Sequence, residues 1–431
     1  VDGRQDPDQR SRQQEAKGQD VESGPPKALL YAIAIHSLKH LFVTQDYAPD
    51  LGGMARRHVE LCRRFGDSVD TMEVSTVASP QAAAFDARER YAIHRQPFPF
   101  SEAKLFINQL RWARWLHSKA PGNFDVFHCG NIRPVGYAVA LAHLTRGVPY
   151  LLYVNGGDLL REMEATNRSI RRRIGGRRIL GKASGIIATS AWVGTLAEEA
   201  MRELGVASPP TIGVFDLGTD PVFFHPSRDT RQLRRKWNIG DAPLILTVAR
   251  LVPHKGQDVV IKALASLSEE FPALRYAIVG AGPDEARLRD LAGSLGITDW
   301  VIFAGALSDD EVAEAYATST IYAGLSRVEE GIHAEGFGIS FVEAAASGLP
   351  SVAGDSGGVR SAVRDGISGI VVPPSDVAMV ADAFRTLLTD DSKRAEMGRR
   401  GRLLVETYYN WDRVARDTRE FTGDVISLRS R

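Results

Sequence analysis

The sequence predicts an α/β protein made of two halves of like design, each a parallel sheet with helices on its faces. Three observations carry this. Short β-rich runs alternate with amphipathic stretches, the pattern starts again after a charged break, and 431 residues suit about two domains of ordinary size. In the first half the runs are "LFVTQ", "DTMEVSTVA", "DVFHCG", "YLLYVNGG", "GIIATS" and "TIGVFDLG"; in the second they are "PLILTVAR", "RYAIVGAG", "VIFAGAL", "TIYAGLS", "PSVAG" and "GIVVPP". Runs this apolar, separated by helical stretches, belong to sheets covered on both faces. The charged stretch from Ser227 to Trp237 marks the junction. The expected domains are 27–225 and 226–405, two Rossmann-like halves facing across a cleft, followed by an amphipathic helix over 406–431. Residues 1–26 are polar and charged, so they cannot offset the entropy of ordering and are expected to form a mobile tail without the apolar segment of a signal peptide.

Composition narrows the function classes. With 53 basic and 53 acidic side chains there is no net field to attract a polyanion, so nucleic acid is not an expected partner. Cys62 and Cys129 lie in separate segments without metal-ligand spacing, which fits a reducing cytoplasm. No apolar run reaches the roughly 20 residues that cross a bilayer. The basic run "RSIRRRIGGRR", residues 168–178, is either a solvated helix face or a surface for anionic lipid at the inner face of the membrane. Likewise, the aromatics of "FINQLRWARWLHSK" fit a core or an exposed patch equally.

Chemistry concentrates in "HAEGFGISFVEAAASGLPSVAG", residues 333–354. Gly336 and Gly338 disfavour a helix, whereas "ISFVEAAASG" favours one that ends at Gly348. Glu335 is therefore expected in a loop and Glu343 in a helix. Such a loop exposes the backbone N–H groups of Phe337, Gly338, Ile339 and Ser340 at a positive helix end, where a phosphate would be held. A carboxylate beside it can accept from sugar hydroxyls, each bond contributing roughly 1.5–3 kcal/mol. The bland reading makes Glu335 a solvated turn residue and Glu343 a surface charge.

"ARLVPHKGQD" places Arg250 and Lys255 just past the strand "LILTV", where a fork and a point charge together could neutralise a diphosphate; surface charges are the alternative. In "QDYAPDLGGM", Gly52 and Gly53 join a strand to a helix, either to admit a phosphate or sugar to the backbone or as a plain turn. Gly280 and Gly282 form G-x-G after a strand but lack the third glycine of a dinucleotide fingerprint, which disfavours an NAD-dependent dehydrogenase. The D-x-D pattern of a metal-held donor occurs only at Asp6 to Asp8, so no metal is expected.

Taken together, "DLGGMARRHVELCRRF", "ARLVPHKGQD", "GALSDDEVAEAYATS", the stretch from Glu335 to Pro374 and "WDRVA" resemble the GT-B retaining glycosyltransferases of family 4 from Leu41 to about Val425. Two of these motifs are similar to those of phosphatidylinositol mannoside mannosyltransferases. The resemblance implies a nucleotide-sugar substrate, GDP-mannose or a UDP-sugar, with no cofactor. It implies Glu335 and Glu343 as an E-x7-E pair on the donor sugar and ribose, and Arg250 with Lys255 on the diphosphate. It also implies a Gly52–Gly53 loop over the donor or acceptor, backbone near Leu307 on the base, and a last helix crossing back near Trp411. One departure is Asn155, where many relatives have His by the reacting sugar; Asn positions a hydroxyl but does not titrate near neutrality. His128 is a nearby candidate or a strand-end histidine bonded to backbone. Asn155 also motivates a second class of function, a catalytically idle scaffold that binds sugar nucleotides.

Overall fold

The first sheet contains β1 (Lys39–Val43), β2 (Thr71–Val77), β3 (Ala92–Gln96), β4 (Val126–Cys129), β5 (Tyr150–Val154), β6 (Gly185–Ala188) and β7 (Thr211–Val214), in the order 3-2-1-4-5-6-7. The second contains β8 (Leu244–Val248), β9 (Arg275–Val279), β10 (Val301–Gly305), β11 (Ile321–Gly324), β12 (Ser351–Gly354) and β13 (Gly369–Val372), in the order 10-9-8-11-12-13. This is a computed structural model; it describes residues 37–49, 52–99, 105–119, 122–328, 331 and 333–429. The expected mobile tail and Asp6 to Asp8 lie outside the described residues.

Every strand pairs in parallel with its neighbours. β4, β5 and β6 are buried along their whole length, as their unbroken apolar character requires. In each sheet the order reverses beside the first strand, between β1 and β4 and between β8 and β11, and these switch points are where such sheets bind ligands. The chain leaving β1 carries Gly52–Gly53, that leaving β8 carries Arg250 and Lys255, and that leaving β11 carries Glu335.

β3, "AIHRQ", is absent from the predicted runs. It is an edge strand, with His94 bonded to Glu73 at 2.6 Å and Arg95 paired with Asp86 at 2.7 Å, so polar contacts replace the apolar signature. The stretch "FINQLRWARWLHSK" divides between its two readings: Trp112 is fully buried, whereas Phe106 faces solvent.

The last helix, Trp411–Arg429, crosses back to the first sheet as expected. Trp411 is buried, and Phe421 lies edge-on to Phe215 with centroids 5.7 Å apart. A Cβ on Gly185 of β6 would stand 2.9 Å from the Phe421 ring, so glycine there admits the helix. Arg419 Nε donates to Asp70 Oδ2 at 2.5 Å, and Arg64 Nε to Asp412 Oδ1 at 2.6 Å. Among the described residues no helix is long and apolar enough to cross a membrane.

Truncating Trp411 to Ala leaves a cavity where the returning helix begins. We expect Trp411→Ala to lower stability by about 3–5 kcal/mol in denaturant titration; a loss below about 1 kcal/mol would contradict the anchoring role.

Candidate active site

Gly338, with φ +96°, turns the chain from the loop into the helix Ile339–Ala346, and a Cβ there would stand 2.6 Å from the Phe341 ring. The helix closes through Gly348, whose N–H donates to the Ala345 carbonyl at 2.9 Å. Glu335 is thus in the loop and Glu343 in the helix, as the glycine spacing predicts. On the neighbouring segment a short turn, Pro253–Lys255, ends at Gly256. A Cβ on Gly256 would fall 2.1 Å from the Leu325 carbonyl, so only glycine lets this turn settle against the end of β11.

That packing sets Lys255 Nζ 2.6 Å from Glu335 Oε2, both side chains half-buried. Burial alone would raise the Glu335 carboxyl; Lys255, aided by His254, outweighs it and holds the group below the usual carboxylate range. The His254 ring stacks on His333 with centroids 4.9 Å apart and planes 5° from parallel. Burial first, then Lys255 and His333, depress His254 to about 4, so it is neutral at pH 7. Arg250 is exposed at the mouth of the same turn.

Residues of the first domain meet this loop directly. A Cβ on Gly53 would stand 3.3 Å from Ile339 Cδ1, and one on Gly156 would stand 3.3 Å from Gly336 Cα. Ser190 Oγ donates to the Gly336 carbonyl at 2.7 Å. The helices Gly53–Gly66, Gly156–Arg168, Ala191–Glu203 and Ile339–Ala346 therefore all begin around residues 336–339. Each helix start carries roughly half a positive charge, so the backbone itself favours an anion in the cleft.

Asn155 caps the helix Gly156–Arg168, its N–H donating to Asp158 Oδ1 at 2.7 Å. Its side chain lies between Met54, whose sulfur is 3.2 Å from Nδ2, and Arg57, whose Nη1 is 3.5 Å from Oδ1. Arg57 is buried, with its guanidinium over the Tyr153 ring at 4.7 Å, and burial depresses it to about 10. Burial likewise pushes Asp158 up to about 7, against the bonds from Asn155 and Leu159.

Two expectations change. His128 does not reach the cleft: it is fully buried, its Nδ1 2.8 Å from the Tyr153 hydroxyl and its Nε2 2.9 Å from His40 Nδ1. Burial, then His40, holds it well below its ordinary value, so it is a neutral core residue, and its partners are side chains rather than backbone. Glu343, expected to be open to a ribose, has partners that the sequence did not suggest. Arg56 Nη1 bonds its Oε1 across the cleft, the Tyr316 hydroxyl donates to Oε2 at 3.0 Å, and Arg56 Nη2 lies 3.2 Å from Asp309 Oδ1. Burial pushes the Glu343 carboxyl up against the pull of Arg56 and Tyr316. Leu307 follows β10 and packs its side chain on the core, while Phe337 is buried beneath the loop. Arg56 sits four residues after Gly52, a weak signal by itself; Tyr316 offers none.

Residues 51–210 match the family model described as Glycosyltransferase Family 4, and residues 229–404 match that described as Glycosyl transferases group 1. A GDP-mannose-dependent alpha-(1-6)-phosphatidylinositol monomannoside mannosyltransferase of Mycobacterium tuberculosis is 31% identical over 389 residues, covering 88% of this chain and 97% of the relative. The chain belongs to glycosyltransferase family 4. A D-inositol 3-phosphate glycosyltransferase of Stackebrandtia nassauensis is 30% identical to this glycosyltransferase over 424 residues, 92% of each chain. The structure of Anabaena HepE in complex with UDP and glucose superposes with a TM-score of 0.72 at 20% identity, over 90% of this glycosyltransferase and 99% of that chain, and so supports its GT-B fold. The NAD-dehydrogenase alternative thereby drops out, and neither sequence relative is named as a scaffold.

Arg56→Ala removes the bridge from the first domain to Glu343. We expect the unliganded glycosyltransferase to open, seen as a larger radius of gyration in small-angle scattering; identical curves would count against the bridge. The Asp158 carboxyl binds its proton more tightly folded, near 7, than unfolded, about 3.9. Its contribution to stability is thus full below about pH 4 and lost as pH rises through 7. Relative to wild type, Asp158→Asn should therefore melt higher at pH 8 than at pH 5, and a pH-independent difference would exclude the raised carboxyl.

Proposed function

We propose that the glycosyltransferase moves a hexose from a nucleotide diphosphate sugar to an acceptor held mainly by the first domain, with retention at the anomeric carbon and without a metal ion. The observation that carries this is the convergence of the Lys255–Glu335 pair and the start of Ile339–Ala346 with Gly53 and the Asn155–Gly156 turn. A diphosphate entering among the helix starts would draw Lys255 away from Glu335. The freed carboxylate then accepts hydrogen bonds from the donor sugar, while Lys255, Arg250 and the N–H groups from Phe337 to Ser340 stabilise charge on the leaving group. The anomeric carbon loses its bond to the diphosphate oxygen and gains one to the acceptor oxygen, whose proton passes to the diphosphate on the same face. Asn155 orients that acceptor hydroxyl and needs no titration to do so. On this reading the ribose displaces Arg56 from Glu343, the backbone near Leu307 takes the base, and Gly52–Gly53 covers the phosphates.

The mannosyltransferase relative makes GDP-mannose the first donor to test, with UDP-sugars second. Among the described residues no three His, Cys, Asp or Glu side chains are grouped to hold a metal. The proposed division of labour gives residues 27–225 to the acceptor and 226–405 to the donor, with 406–431 as the crossover helix. A cytoplasmic place of work, in contact with the inner face of the membrane, belongs to the same proposal.

Glu335→Ala should lower turnover by roughly two orders of magnitude, the scale of removing one hydrogen-bonding group that stabilises a transition state, while GDP or UDP affinity by calorimetry is kept. Normal turnover would remove Glu335 from the mechanism. Lys255→Ala should weaken donor binding at least about tenfold, and unchanged affinity would refute its phosphate role.

A further inference from the structure

Arg57, on the second turn of the helix Gly53–Gly66, is a cation in the core of the first domain, 1% exposed. Its neighbours on that helix, Arg56, Arg63 and Arg64, each pair with a carboxylate. Arg57 pairs with none among the described residues, and its Nε and Nη2 have no hydrogen-bond partner. Only Nη1 is engaged, donating to Asn155 Oδ1 at 3.5 Å. Burial lowers the guanidinium to about 10, which leaves it charged at neutral pH. A buried charge without a counter-ion is far more costly than an apolar side chain of the same length, so packing does not account for this arginine.

The core is built to hold it in place. Tyr153, in β5, and Asn155, extended just beyond it, are two residues apart and so share one face of the strand, which Arg57 covers. The guanidinium lies 4.7 Å from the centre of the Tyr153 ring, and the Tyr153 hydroxyl is itself 2.8 Å from the buried His128. A guanidinium has donors only, so it can face only the carbonyl oxygen of the Asn155 amide. The amide NH2 is thereby turned the other way, toward Met54 Sδ at 3.2 Å, a weak acceptor beside the Gly52–Gly53 loop. Asp158 Oδ1 takes the backbone N–H of the same residue at 2.7 Å. Backbone and side chain of Asn155 are thus fixed by separate groups.

We propose that Arg57 is a positioning residue for the transfer step, holding Asn155 with its amide N–H toward the substrates and its carbonyl away from them. The proposal rests on the transferase reading. An attacking hydroxyl oxygen has two lone pairs and one proton. One lone pair forms the bond to the anomeric carbon while the bond from that carbon to the diphosphate oxygen breaks, and the other accepts the Asn155 N–H. The proton is then left for the diphosphate. With the amide reversed, Oδ1 would compete with the diphosphate for that proton, and the NH2 would face the guanidinium. The charge on Arg57 also makes the amide a better donor, because drawing on its oxygen withdraws electrons from its nitrogen. The 3.5 Å bond has room to shorten as that donor is used.

The full chain is assayed with GDP-mannose and with UDP-glucose, the attacking hydroxyl being supplied by water or by glycerol as a model polyol. Arg57→Met should lower kcat roughly ten- to a hundredfold, the scale of one charge-assisted hydrogen bond, and change the donor KM less than about twofold. Arg57→Lys, which keeps a cation that only donates, should recover part of the loss. In an Asn155→Ala background, Arg57→Met should have no further effect, because Arg57 acts through Asn155. Losses that add in the double variant, a loss confined to KM, or equal losses in the Met and Lys variants would each overturn the proposal. A second readout needs no turnover. In protein labelled at the asparagine side-chain nitrogen, the amide resonance of Asn155, assigned by its loss in Asn155→Ala, should move upfield in Arg57→Met. A resonance that stays in place would also overturn the proposal. Wild type that binds neither GDP nor UDP by calorimetry, with a resonance that does move, rejects the transferase reading and not the orientation of Asn155.

Discussion

A parallel strand can be followed by a parallel neighbour only after the chain has crossed back, so all strands of a sheet end on one edge and all the following helices begin there. Two such edges turned toward each other gather helix starts from both domains around Gly336 to Ile339. The positive potential of the cleft follows from backbone geometry before any side chain is considered. Glycine at 53, 156, 336 and 338 keeps that backbone uncovered, because side chains at these places would meet Ile339, the Trp192 ring, Gly156 and the Phe341 ring respectively.

The charged side chains of the cleft neutralise one another. Lys255 is held by Glu335, and Arg56 by Glu343 and Asp309. Each carboxylate that the proposed chemistry uses, Glu335 and Glu343, is thus already held by a cation, so on that proposal ligand binding is an exchange of partners rather than the filling of an empty space. The two carboxylates respond differently. Glu335 has its cation within its own domain and stays ionised; Glu343 is more deeply buried and depends on a cation from across the cleft, so its charge is coupled to closure.

Much of the fold is legible in the sequence because burial on both faces writes a strand as an unbroken apolar run. β3 escapes for the same reason reversed: at the edge its His94 and Arg95 find carboxylate partners and no apolar face is needed. The loop position of Glu335 and the helical position of Glu343 are legible from the glycines at 336, 338 and 348, since backbone freedom is a local property. His128 departs from expectation because a histidine at the end of a strand looks the same whether it faces a cleft or, as here, His40 and Tyr153 in the core. Arg56 and Tyr316 as partners of Glu343 are invisible in the sequence, as both contacts join residues that only folding brings together.

By itself, then, the amino-acid order determined the two parallel sheets, the glycine-opened turns and the identities of the charged groups near them, because these depend on periodicity and on local backbone conformation. Tertiary structure decided which charges pair and which histidine is enclosed. Those outcomes depend on distances between segments far apart in the chain, and no local pattern encodes them.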